Sequence, residues 1–153
     1  MTGSVVITEG DPRAPDSRAL LAASHALMQS LFPSESNHYL SVEALCAPDI
    51  AFLVAQVDGK TLGCGAVAAK DGYGEVKSMF VDPAARGLGI ADAMMQALTE
   101  QAARLGLSLL RLETGNTLSA AIRLYEKHGF YRIGPFGDYA EDPLSLFMEK
   151  RLG

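Results

Sequence analysis

EVKSMFVDPAARGLGIA, residues 75–91, carries a strand through a proline-containing turn into a glycine-rich helix start. Backbone N–H groups at a helix N-terminus have no intrahelical acceptor and sit at the positive end of the macrodipole, so such a junction binds anions. Gly87 and Gly89 let a ligand come close to that backbone, and Arg86 adds a fixed charge beside it. The expected ligand group is a phosphate or pyrophosphate; the alternative is a glycine turn that serves only tight helix packing. A Walker loop is excluded, because Gly89 is followed by Ile90-Ala91 and not by Lys-Ser/Thr. A dinucleotide fingerprint fails as well, since Asp92 occupies the position of its last small residue.

Outward from this junction the hydrophobic period changes with each element. Upstream, Ala51 to Val57 and Thr61 to Ala69 flank Asp58-Gly59, a hairpin signal, and Asp71-Gly72-Tyr73-Gly74 turns into Glu75 to Val81. Three strands of an antiparallel meander follow. Downstream, Ile90, Met94, Met95, Leu98, Ala102 and Leu105 fall on one helical face, ended by Gly106. Ser108 to Glu113 reads as a buried strand, Leu118 to His128 as a helix, Tyr131 to Ile133 as a strand start and Leu144 to Lys150 as a final strand. Towards the N-terminus, Ser4 to Glu9 suits a strand. Asp16 or Ser17 suits a helix cap before the apolar face of Leu20, Leu21, Leu27, Met28 and Leu31, and Ser41 opens a short helix ended near Pro48. With no linker or repeat, residues 1–153 are expected to form one domain of α/β (α+β) class, with a largely antiparallel sheet flanked by helices.

The chain has 153 residues, 48% of them hydrophobic, and a formal charge of −5, which excludes a basic nucleic-acid footprint. Apolar runs are too short for a membrane span, which needs about twenty residues. Met1 to Gly10 lacks a basic stretch followed by an apolar block, so a cytoplasmic location is the expectation. Cys46 and Cys64 form no CxxC pair, and His25, His38 and His128 share no ligand spacing, so no metal site is expected.

Arg86-Gly87-Leu88-Gly89-Ile90-Ala91 matches the [Q/R]-x-x-G-x-[G/A] signature of the GNAT acetyltransferase superfamily, preceded by Val81-Asp82-Pro83 and followed by Leu124-Tyr125-Glu126-Lys127-His128-Gly129-Phe130. The match covers roughly residues 74–131. The chain also resembles a subgroup of small bacterial acetyltransferases with an LFP-x-E-S-x-H-x-L segment, here residues 31–40, and a G-P-F-G-D-Y-x-x-D-P-x-S segment, here residues 134–145. The resemblance implies the acyl-CoA N-acyltransferase fold and acetyl-CoA as co-substrate, its pyrophosphate held by the backbone of Arg86 to Ala91. It also implies that Met79, Phe80 and Val81 hydrogen-bond the pantetheine arm, whose two amides suit a strand edge. In the family this strand diverges from the next, leaving a V for the thioester.

By the same resemblance Tyr125 protonates the departing thiolate, a role a phenol can fill; from spacing alone it is a core tyrosine. Glu75 is the candidate general base, against a solvated strand-end carboxylate beside Lys77, and Glu113 is the second candidate. Many relatives carry an asparagine seven positions before the tyrosine. Here that position is Leu118, and Asn116 either replaces the cofactor contact or caps a helix. Ser36, His38 and Tyr139 lie in the loops expected to face the acceptor, and His38 can serve as a second base. The nearby acidic residues favour a cationic amine. The expected function is acetyl transfer from acetyl-CoA to a small-molecule or peptide primary amine in a ternary complex, with no nucleic acid or membrane partner and a homodimer possible through exposed strand edges. The alternative is a non-catalytic acyl-CoA binding or sensing module.

Overall fold

The computed structural model describes residues 4–152, so Met1 to Gly3, at the start of the segment read for a leader, and Gly153 lie outside the described residues. Seven strands form one sheet in the order β1-β2-β3-β4-β5-β7-β6. They are β1 Val6–Glu9, β2 Ile50–Val57, β3 Lys60–Ala69, β4 Gly74–Val81, β5 Leu109–Gly115, β6 Tyr131–Ile133 and β7 Ser145–Arg151. Every neighbouring pair is antiparallel except β4 and β5. The expected meander is β2-β3-β4, with Asp58 and Gly59 both at positive φ in its first turn, as a tight hairpin requires.

Alternation along β2 gives the sheet two buried faces. Leu53, Ala55 and Val57 face a core built on α3 Ile90–Arg104 and α4 Ser119–Lys127, whereas Phe52 and Val54 join Leu20, Leu21 and Leu45 of α1 Pro15–Leu31 and α2 Val42–Leu45. Helix α3 buries Ile90, Met94, Met95, Leu98 and Ala102, the stripe its 3.6-residue period predicts, while Leu105 at its end is exposed. Glycines let it come close. A Cβ at Gly65 would meet Met94 and Leu98 at 3.0–3.2 Å, and one at Gly63 would lie 2.7 Å from Ile90 Cγ2. The first turn of α3 is thus set directly against β3.

Two local expectations are corrected. Helix α1 begins at Pro15 with Ala14 as its N-cap residue and no side-chain cap, because proline at the first helical position supplies the fixed φ in place of Asp16 or Ser17. Leu27 and Leu31 are exposed, because the C-terminal half of α1 turns Ser24, Met28 and Phe32, not these two residues, to a cleft beside the sheet. Ser41 does cap α2, its Oγ accepting from the Ala44 amide at 3.1 Å.

Candidate active site

Strands β4 and β5 pair only at Gly74–Leu110 and Glu75–Arg111, after which they separate. β4 stays paired to β3 as far as Val81, and β5 to β7 along its whole length, so the sheet opens as a V between two anchored strands. Pairing of β4 with β3 is itself interrupted: Cys64 faces Phe80 and Ala66 faces Lys77, leaving Ser78 and Met79 opposite the single residue Gly65. Ser78 has φ 55°, a conformation that costs a non-glycine residue about 1–2 kcal/mol. The bulge resets the alternation, so that Val76 and Met79 both pack towards α3 and α4 and Phe80 packs towards α1.

A cleft of about 880 Å³, its open mouth included, fills the V. Ser78, Met79 and Phe80 of β4 line one wall, Leu112 to Gly115 of β5 the other, with Leu118, Ala121 and Tyr125 at one side and Ser36, His38 and Tyr39 at the opposite side. Tyr125 sits one turn after Ile122 on the buried face of α4, with its ring edge-on to Phe130 at 5.8 Å. Burial, with the charge of Glu113 adding to it, pushes its hydroxyl up to about 12. The phenol therefore keeps its proton well above neutrality.

Glu75 is no solvated strand end. It is 5% exposed and its Oε2 accepts from the Tyr139 hydroxyl at 2.6 Å and from Lys77 Nζ at 3.3 Å. Lys77 Nζ also donates to the Tyr139 hydroxyl at 3.0 Å and to the His38 carbonyl at 2.8 Å. Residues from β4, the early loop and the late loop thus share one buried polar cluster, and burial followed by the Glu75 bond raises the Tyr139 hydroxyl far above its ordinary value. Glu113, on the same face of the sheet, accepts from Ser145 Oγ at 2.8 Å, and burial raises its carboxyl above the ordinary 4.5. Ser36 Oγ donates to Asp142 at 2.6 Å, which links the two loops directly. A second cavity shares His38, Tyr39 and Lys77 with the cleft and continues past Glu75 and Tyr139 to Tyr73 and Asp138.

The glycine junction lies just past the end of β4, beyond the residues that line the cleft. Gly87 and Gly89 have φ 86° and 78°, and a Cβ at either would meet nothing within 4 Å. The first helical hydrogen bond runs from the Ala93 amide to the Gly89 carbonyl, so the earlier amides of the turn have no acceptor within the helix. Arg86 and Leu88 are exposed, while Ile90 is buried and anchors the turn. Amides without an intrahelical acceptor, the uncovered glycines and the unpaired edge of β4 fit a diphosphate followed by an extended amide-bearing arm.

Asn116 neither lines the cleft nor caps α4, whose N-cap residue is Leu118 with no side-chain bond; its amide donates to the Pro143 carbonyl at 2.6 Å and tethers the late loop. Lys77 and Ser78 had no signal of their own in the sequence beyond their place on the strand. Among the described residues no group of His, Cys, Asp or Glu is placed to hold a metal, and no helix is long and apolar enough to cross a membrane.

A mostly antiparallel sheet split at one parallel pair, with a helix N-terminus beside the split, defines an acyl-CoA N-acyltransferase fold. The family model "Acetyltransferase (GNAT) domain" matches residues 48–132. An "IAA acetyltransferase" of Azospirillum brasilense is 52% identical over 124 residues, 80% of this chain and 81% of that protein. The crystal structure of a putative acyl-CoA N-acyltransferase from Klebsiella pneumoniae superposes with TM-score 0.83 at 34% identity, covering 97% of this chain and 98% of that one. PaiA N-acetyltransferase of Thermoplasma acidophilum, solved in complex with coenzyme A, shares the fold with TM-score 0.72 at 16% identity, covering 97% and 99%. The chain belongs to the GNAT acetyltransferase family and is an acetyl-CoA-dependent acyltransferase.

Proposed function

We propose that the protein transfers the acetyl group of acetyl-CoA to a primary amine by direct attack in a ternary complex. The observation that carries this is a pair of adjoining cavities: Tyr125 lines the cleft between the splayed strands at its α4 side, His38 and Lys77 line both cavities, and Glu75 and Tyr139, bonded to each other, line the second. Acetyl-CoA enters from the glycine junction, with its diphosphate on the amides of Arg86 to Ala91 and its arm along Met79, Phe80 and Val81. The amine arrives between the early and late loops, past Ser36, His38 and Tyr139.

Glu75 takes the proton of the incoming ammonium, directly or through one water, once Tyr139 moves or passes it on. The nitrogen lone pair then forms the C–N bond, and negative charge collects on the former carbonyl oxygen near the Met79 amide, which has no register partner on β3. Collapse of this adduct breaks the C–S bond, and the Tyr125 hydroxyl protonates the thiolate. Neither cysteine is needed: burial pushes the Cys64 thiol up to about 12, which makes it a poor nucleophile.

Thiol release from acetyl-CoA across a panel of amines tests the proposal. Turnover with at least one cationic amine, abolished or strongly slowed in Tyr125→Phe, is expected. Acetyl-CoA binding without turnover for any amine would favour a binding or sensing module instead.

A further inference from the structure

Ser78 carries three features that the acid, the base and the phosphate cradle leave unused. Its φ of 55° is in the left-handed region that favours glycine. It stands at the β4 bulge, where it and Met79 together face Gly65. Its Oγ is buried and has no hydrogen-bond partner. The same residue lines the cleft with Met79, Glu113 and Tyr125. Its carbonyl accepts from the Cys64 thiol at 3.2 Å, so the bulge is pinned from the neighbouring strand. A fold that needed only the bend could place glycine here and lose both the strain and the orphaned hydroxyl. A strained residue that also buries an unsatisfied donor is in the condition expected of a group whose partner arrives with a ligand.

We propose that on binding of the thioester the Ser78 side chain turns about χ1 from its buried position into the cleft, that its hydroxyl donates a hydrogen bond to the acyl oxygen, and that this bond strengthens as the oxygen becomes negative. The inference rests on the acetyl-transfer reading and adds a donor to it. Ser78 and Met79 are adjacent, so a side-chain O–H and a backbone N–H from the bulge serve one oxygen. When the amine nitrogen bonds to the carbonyl carbon, the C=O π pair moves onto that oxygen. When the adduct collapses, the pair re-forms the carbonyl and the C–S electrons leave with sulfur, which takes the Tyr125 proton. Glu75, which took the first ammonium proton, releases it to solvent, and the adduct nitrogen's second proton replaces, through water, the one Tyr125 gave to sulfur. Ser78 keeps its own proton throughout.

Full-length Ser78→Ala and Ser78→Gly are compared with the wild type by steady-state kinetics, by calorimetric titration with acetyl-CoA and with CoA, and by thermal unfolding. Both variants should lose about tenfold to a hundredfold in kcat while binding CoA, which lacks the acyl oxygen, within about twofold of wild type. The preference for acetyl-CoA over CoA should fall about threefold, and neither variant should unfold below the wild-type temperature. Unchanged kcat in both, or an unchanged acetyl-CoA to CoA preference, overturns the proposal. CoA affinity that falls in step with kcat also overturns it, because the hydroxyl would then serve the arm and not the acyl group. A wild type that binds acetyl-CoA but acetylates no amine counts against the acetyl-transfer reading, and the binding comparison then decides the Ser78 contact separately.

Discussion

Replacing Gly89 by alanine separates a backbone strain from a ligand contact. Gly89 has φ +78° and a Cβ there would have nothing within 4 Å, so an alanine meets no clash and carries only the cost of the left-handed conformation, about 1 kcal/mol. In a domain of this size that lowers Tm by about 2–4 °C. Gly106, at the other end of α3, has the same φ of +78° and the same empty surroundings. Gly106→Ala should therefore show the same loss of Tm. Of the two, only Gly89 belongs to the proposed diphosphate cradle, so Gly89→Ala should raise the KM for acetyl-CoA by about tenfold, equivalent to about 1.4 kcal/mol. Gly106→Ala should leave it unchanged. Differential scanning fluorimetry and acetyl-CoA titrations on the two variants make the comparison. Equal KM values in both, at equal stability, would refute the assignment of the diphosphate to this turn.

Tyr125→Phe should lower kcat about 100-fold while KM for acetyl-CoA stays near wild type, read by thiol release. Because burial raises the Tyr125 hydroxyl to about 12, no loss of kcat below about pH 9 should trace to its ionisation, which a wild-type pH profile checks. Burial raises the Glu113 carboxyl, so its stabilising contribution is complete below 4.5 and is lost as the pH rises through the raised value. Glu113→Gln, neutral throughout, should therefore unfold at a higher temperature than wild type at about pH 8 and show no gain at about pH 4, measured by scanning calorimetry. Gly63→Ala places a methyl 2.7 Å from Ile90 Cγ2. It should cost about 1–3 kcal/mol in chemical denaturation and raise the KM for acetyl-CoA by displacing the first turn of α3.

The elements were legible where local chemistry is strong. Asp58-Gly59 marks its hairpin, the spacing from Ile90 to Ala102 marks its helix, and Gly87 with Gly89 marks the turn that opens that helix. The site was legible only in part. Glu75 and Tyr139 are 64 residues apart, and nothing in either neighbourhood announces a 2.6 Å contact that turns a strand-end carboxylate into a buried one. The bulge at Ser78 leaves no mark because the residue is not a glycine, although its φ is one that glycine favours. Leu27 and Leu31 followed the helical period but are exposed, since periodicity does not say how much of a helix face its neighbours cover. The parting of β4 from β5 was an expectation from family resemblance. It arises from anchoring each strand to a different neighbour, a property of the whole sheet and not of either segment.

Backbone amide NMR shifts on titration with acetyl-CoA probe the cradle most directly. The largest changes should fall on residues 86–92, with a second group at 78–81 on the free edge of β4. Saturating binding that leaves both groups unmoved would contradict the account.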